Sequence, residues 1–436
     1  MTPTQQLLAF AAAPPPLPAA VASAARDLLD DTLLVGAAGA TAPDADAVVA
    51  AASRWGKDGA VPLLGRTGTL PAAGAAFVNG FQIHCLEWDA VHEPAVVHAM
   101  SVVTAALHAT AHAKGNVSHE DALTALVVGV EIACALGVAA ASPLKFFRPA
   151  TAGLLGASLA CARIAGIAPD RYCEVLGLAY SFAAGTMQAH VEGSIALPLQ
   201  IANAARAAVM AVDLVAAGLS GPRDPLEGPF GYFRLFEEGT PGDVTPSLGV
   251  RWRTAEISFK PWPCGRASHA TLGMLHGRDA ADVVRIEARV PPLVMRLVGR
   301  RWTETMSPAT ARLCLPFLTA LMLHDGRIDP RRFVPQAFAC PTLRALGERL
   351  QMVDDKTTDP NALSPQSFSL TLADGSTIEQ TISATPGAPG SRSAMLMQGK
   401  RALALELMRR KRALALELMS APDMFKPDLS GLTGTP

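Results

Sequence analysis

Two short stretches of this 436-residue chain concentrate the side chains that can move protons or hold anions. The first is SFKPWPCGRASHA (258–270), where Pro261 and Pro263 forbid a continuous helix and leave Lys260 in a loop. A lysine partly withdrawn from water can serve as acid or base, whereas a solvated one is only a surface cation. Arg266 and His269 follow six and nine residues later. Arg266 can match a carboxylate bidentately, with plain solvent exposure as the alternative. The second stretch, AAFVNGFQIHCLEWDAVHEPAVVHA (75–99), carries His84, His92 and His98 around Glu87 and Asp89. Imidazole changes charge near neutrality and so suits proton transfer. The two carboxylates flank Trp88 and can orient His98 or Lys260, or act as base; an acidic patch capping a helix end is the competing reading. Each histidine is equally open to a purely structural role. Their spacing fits neither H-x-x-x-H nor H-E-x-x-H, which argues against a metal.

The elements that must hold these loops read as helices. Half of the residues are hydrophobic and only 5% are aromatic, while alanine abounds, so helices can pack closely. Apolar segments at 19–36, 45–55, 71–86, 100–114, 119–141, 150–165, 170–186 and 198–217 are punctuated by Gly, Pro, Ser or Asp. The pattern changes near residue 250. VVRIEARV (283–290) alternates as a strand, 308–324 reads as a helix, and SFSLTLADGSTIEQTISA (367–384) reads as a hairpin about Asp374-Gly375. The expected fold is mainly α: a large all-α domain over 1–250, completed by 391–436, with a smaller α+β unit at 251–390 before the C-terminal helix. That helix contains a tandem copy, KRALALELM at 400–408 and again at 411–419, whose eleven-residue period would continue one helical face.

Composition narrows the function classes. Charged residues are 17% of the chain and the net charge is −1, so no basic field invites nucleic acid and no acidic tail is present. Seven scattered cysteines without a C-x-x-C pair read as reduced, buried thiols. No Lys or Arg precedes Arg26, so the expectation is a cytoplasmic protein without a targeting segment. Residues 122–142 are long enough for a bilayer, but Glu131 sits in their middle, and a buried core helix is the better reading.

Several segments together resemble the MmgE/PrpD family: residues 75–99, FFRPATAGLLGASLACARIAG (146–166), EGSIALPLQIANAARA (192–207), the Lys-Pro-Trp-Pro-Cys loop, LCLPFLTALMLHDGRID (313–329) and ATPGAPGSR (384–392). The order holds from about residue 20 to 400. The resemblance implies a helical domain with an α+β lid, an active site between them, a homodimer, and no metal or organic cofactor. It implies a lyase acting on a small carboxylate, as in 2-methylcitrate dehydration or cis-aconitate decarboxylation, or alternatively an epimerase. A degenerate, binding-only member is the third reading. All these reactions move a proton at a carbon next to a carboxylate and must stabilise the charge that develops. On the family pattern Lys260 and His98 are catalytic with Glu87 and Asp89, while His84, Arg148, Arg266 and His269 are placed to bind substrate.

The chain departs from that pattern in ways that alter the pocket. Arg148 stands where relatives commonly have His, Leu197 where they have Lys, Asn203 where they have Arg, and Phe317 where they have Tyr; Val91 replaces a small polar residue. Leu cannot hold a carboxylate and Phe cannot donate a proton. The expected pocket is therefore less cationic and more apolar than the family pattern.

Overall fold

The structure is a computed structural model that describes residues 1–391 and 393–409. Its first half is helical: α1 (Pro3–Ala12), α2 (Ala19–Gly39), α3 (Ala45–Ala52), α4 (Ala72–His84), α5 (Ala99–Lys114), α6 (His119–Ala139), α7 (Arg148–Ala165), α8 (Tyr172–Ser181), α9 (Gln188–Glu192) and α10 (Ala196–Ala216). A short antiparallel pair, β1 (Val61–Pro62) and β2 (Thr69–Leu70), interrupts them. Local sequence explains the ends. Ser118 caps α6 by accepting from the Asp121 amide, and Gly166 closes α7 in the left-handed conformation. No helix is expected from sequence before residue 19, yet Thr2 and Gln5 form a reciprocal capping box that starts α1.

Small residues let the central helices touch backbone to backbone. A Cβ on Gly156 of α7 would lie 2.2 Å from the Gly129 carbonyl oxygen of α6. Backbone cannot swing aside as a side chain can, so Gly156→Ala should destabilise the protein by about 1–3 kcal/mol, read as a lower denaturation midpoint. An unchanged midpoint would show that the two helices are not in close contact.

Among the described residues two helices, α6 and α10, are long and apolar enough to cross a membrane, and the most apolar window of α6 is 89% buried inside the fold. Glu131 has a defined partner set within it. Its carboxylate accepts from the Arg253 amide at 2.9 Å, and from the Thr254 amide and hydroxyl at 2.7 Å each. The charge thus caps the turn at Arg253–Glu256 and costs less than an unpaired one would.

Past residue 260 a mixed sheet takes over: β3 (Val283–Val290), β4 (Leu350–Asp354), β5 (Gln366–Leu372) and β6 (Thr377–Ile382), in the order β4-β3-β5-β6. β3 pairs parallel with β4 and antiparallel with β5; β5 and β6 form the hairpin about Asp374-Gly375. The segment expected as one helix over 308–324 is two, Pro308–Ala311 and Leu315–Asp325. Pro316 lacks the amide that a continuous helix would need, so the chain breaks at Arg312–Cys314. One apolar core runs from Leu7 to Phe259 and takes in Leu403, Ala404, Leu407 and Met408; a second runs from Trp262 to Leu370. The helix Ala394–Arg409 is fastened to α2 by Lys400, whose Nζ lies 2.6 Å from Asp31 Oδ1 and donates to the Trp88 carbonyl at 3.0 Å. The first KRALALELM copy lies in this helix; the second, 411–419, lies outside the described residues.

Candidate active site

The loop between α4 and α5 meets the 258–266 loop, and two antiparallel hydrogen bonds between Val91 and Ser258 (2.9 and 3.0 Å) stitch them together. Trp88 donates its indole N–H to the Pro261 carbonyl at 3.2 Å, anchoring the same junction from below. Glu87 and Val96 hold φ of 55° and 52°. For a β-branched valine in particular this backbone is strained, by about 1–3 kcal/mol, so the surrounding contacts must fix the loop's path. Its result is to turn both the Glu87 side chain and its carbonyl toward Lys260, which donates to them at 2.8 and 3.2 Å.

Five of the residues singled out by sequence converge here. Lys260 is fully buried and its Nζ is also 3.8 Å from Asp89. His84, the last residue of α4, donates Nδ1–H to Asp89 at 2.9 and 3.0 Å. His98, which precedes α5, places Nδ1 3.0 Å from the same carboxylate, although out of line for a hydrogen bond. Ser101 donates its hydroxyl to Asp89. The two imidazole rings stand edge to face with centroids 4.9 Å apart. His84 Nε2 is buried without a hydrogen-bond partner, 3.6 Å from a Glu87 oxygen.

The two histidines are pushed in opposite directions. Burial pulls His84 down, but the Asp89 and Glu87 carboxylates outweigh it and raise its pKa above the ordinary 6.5. Burial dominates at His98, and with the Lys260 ammonium it lowers that pKa despite Asp89. Helix ends reinforce the split: His84 lies at the negative end of α4, His98 at the positive end of α5. Burial would raise Glu87, but Lys260 and then His84 hold it down at about 2. Asp89 is held well below its usual range, chiefly by His84 and His98 acting against burial. His84 therefore holds a proton more firmly than His98 does, beside two carboxylates whose pKa values are lowered.

A cavity of about 70 Å³ opens on His84, Glu87 and His98. Its other walls are largely apolar, including Val91, Phe147, Met187, Leu197 and Leu313, in keeping with the expected loss of polar groups. Arg148 and Arg266 are also on the wall, but neither guanidinium is free to hold a substrate carboxylate. Arg148 is bound by Glu237 at 2.8 Å and by the carbonyls of Ala95 and Ser142. Arg266 is bound by Glu93 at 2.8 Å and by the carbonyls of Phe259, Thr385 and Pro386. His269 does not line the cavity: its Nε2 lies 3.4 Å from the Cys264 carbonyl and its ring leans on Trp262. His92 turns away to Glu256 at 3.3 Å and braces a tight backbone pairing with Val97. Phe317 is buried among Trp302 and Phe338 in the second core, and Asn203 is exposed on α10, so the functional weight given to those substitutions does not hold. Leu197 does face the cavity.

Sequence reading missed His190, which lines the cavity and is approached by Arg300 at 2.7 Å; burial and that cation lower its pKa to about 4. The only signal was its place just before the segment 192–207. Sequence spacing also missed that His84, Asp89 and His98 bring three possible metal-ligand atoms within 4.8 Å of one another. The chemistry of the set favours hydrogen bonding. Asp89 receives His84 N–H and the Ser101 hydroxyl, and the Lys260 ammonium already occupies the cation's place beside it.

Comparison with known proteins gives a consistent picture. The MmgE/PrpD N-terminal domain matches residues 8–244 and the MmgE/PrpD C-terminal domain matches residues 262–395. The chain is 27% identical over 405 residues to the cis-aconitate decarboxylase-like protein oryM of Aspergillus oryzae, covering 86% of this chain and 84% of that one. It is 27% identical over 336 residues to the cis-aconitate decarboxylase of Mus musculus and 28% over 333 residues to that of Homo sapiens. In both cases the match covers 71% of this chain and 67% of the relative.

Proposed function

Because this chain belongs to the MmgE/PrpD family, we propose that it is a lyase that moves a proton at a carbon next to a carboxylate of a small substrate. The observation that carries the proposal is the pair of histidines on one carboxylate, set in environments that raise the pKa of one and lower that of the other. Environments that push two titratable groups apart assign acid and base roles. Neutral His98 is the base, positioned by Asp89. Protonated His84 and the Lys260 ammonium stabilise the negative charge that grows on the substrate as the proton leaves. Glu87 keeps Lys260 in place, and no metal or organic cofactor takes part.

Residues 251–390 act as a lid on the helical part of the chain, and the protein works in the cytoplasm as a homodimer. Its partner is the substrate rather than nucleic acid or membrane. The narrow, apolar-walled cavity and Leu197 favour a substrate with fewer carboxylates than cis-aconitate or 2-methylcitrate, both of which should turn over weakly. A binding-only role has one observation in its favour, namely that Arg148 and Arg266 are spent on internal partners.

The pH profile tests the assignment. His98 works only when neutral, so the rate should fall as pH drops through its lowered pKa, below 6.5. His84 works only when protonated, so the rate should fall as pH rises through its raised pKa, above 6.5. The expected profile is a bell whose plateau spans 6.5 and whose limbs belong to the coupled pair. His84→Gln should lose the alkaline limb; a wild-type profile without two limbs would count against the reading.

A further inference from the structure

Beyond the histidine cavity lies a larger chamber of about 570 Å³, walled by residues around Asp44, Leu86, Ser194, Ala309, Arg312 and Phe333. A constriction of about 20 Å³ lies between the two. It shares His84, Glu87 and His190 with the first, and Ser194, Ala309 and Arg312 with the second. Arg312 is therefore at the junction of the chamber with the site.

Its environment differs from that of Arg148 and Arg266, the buried arginines on the wall of the histidine cavity. Arg312 is only 8% exposed, and its Nε has no hydrogen-bond partner among the described residues. Among the described residues no carboxylate comes within ion-pairing distance of its guanidinium, which lies 5.2 Å over the Phe333 ring. Arg148 and Arg266 have carboxylates at 2.8 Å. Arg331, also on the chamber wall, is neutralised by Asp329 and Glu406. A buried guanidinium without an anion is costly unless something that binds there supplies one. The break between the helices Pro308–Ala311 and Leu315–Asp325 places Arg312 where its side chain can reach this space.

We propose that Arg312 is the carboxylate anchor of the site, receiving the non-reacting carboxylate of a dicarboxylate whose other end reaches His98. The inference rests on the proposed function for what happens at His98, but the anchor itself is a statement about binding. A planar guanidinium takes a carboxylate through two parallel N–H···O bonds, and in a space shielded from water that pairing is strong. The substrate class is then a dicarboxylate long enough to pass from chamber to cavity, which explains how a site with both wall arginines occupied can still hold an anion.

The test measures binding of succinate, maleate and itaconate by calorimetry to the full chain and to Arg312→Gln, Arg312→Lys and His98→Asn. At least one dicarboxylate should bind the wild type, with affinity falling about 10–100-fold in Arg312→Gln and less in Arg312→Lys. Removing a buried charge that has no ion-pair partner among the described residues should leave the melting temperature of ligand-free Arg312→Gln unchanged or higher. His98→Asn should still bind in a manner that depends on Arg312. Equal affinity in Arg312→Gln, no binding by the wild type, or a lower melting temperature for ligand-free Arg312→Gln would each overturn the anchor. Retained proton exchange in His98→Asn, with binding still dependent on Arg312, would overturn the proposed base and leave the anchor standing.

Discussion

A His98→Asn variant should exchange protons beside a bound carboxylate about 10²–10⁴-fold more slowly than the wild type, the usual contribution of a positioned acid or base. Asparagine keeps a polar side chain of similar reach but cannot take up a proton near neutrality. His98 caps the approach to α5 and touches Asp89 through Nδ1, so its opposite nitrogen is the one presented to the cavity. Asp89 lies beside that nitrogen and is itself held by Ser101 and His84. The loss should appear in the rate of exchange rather than in affinity, because the carboxylate anchor lies elsewhere. A variant within threefold of the wild type would move the base to another residue, with His84 the first to examine.

The second large effect is on stability. Lys260→Met should cost about 3–5 kcal/mol at neutral pH, since it leaves the carboxylates of Glu87 and Asp89 buried with their ammonium removed. The cost has a definite pH dependence. Glu87, at about 2 instead of 4.5, contributes stability that is present above 4.5 and is lost as pH falls towards 2. Without Lys260 that contribution shrinks, so the gap between variant and wild type should narrow below pH 4.5 as the carboxyl protonates. Adding Glu87→Gln should recover part of the loss, and the two changes should not be additive. Denaturation curves that show less than 1 kcal/mol for Lys260→Met would mean the buried charges are compensated by other groups.

How far the sequence could be read depended on how local the cause was. Strand β3 and the hairpin about Asp374-Gly375 follow from alternation and a turn pair, both visible in a few residues. The buried helix around Glu131 follows from the cost of a charge in lipid, though not its partners at Arg253 and Thr254, which come from far along the chain. Strand β4, LQMVD, is half-buried without clear alternation and gives no comparable signal. The break at Arg312 could have been inferred from Pro316 alone. At the site, the motif around residues 84–98 and the Lys260 loop were recognisable, and the structure gathers them. What remained hidden was pairing across long separations: Glu237 consumes Arg148, and Glu93 consumes Arg266. Likewise Phe317 is committed to a core of aromatic rings that no spacing announces.

If His98 is the base that removes a proton next to a carboxylate, carbon-bound protons of a substrate must exchange with solvent through it. The most direct measurement is proton NMR of succinate, maleate, itaconate, cis-aconitate and 2-methylcitrate in D2O, with wild-type protein and with His98→Asn. This reads exchange or turnover whichever step follows proton removal. Wild-type protein should remove a carbon-bound proton signal from at least one dicarboxylate and change the two tricarboxylates only slowly, and His98→Asn should lose the activity. Unchanged spectra for every compound with folded, carboxylate-binding wild-type protein, or undiminished exchange in His98→Asn, would contradict it.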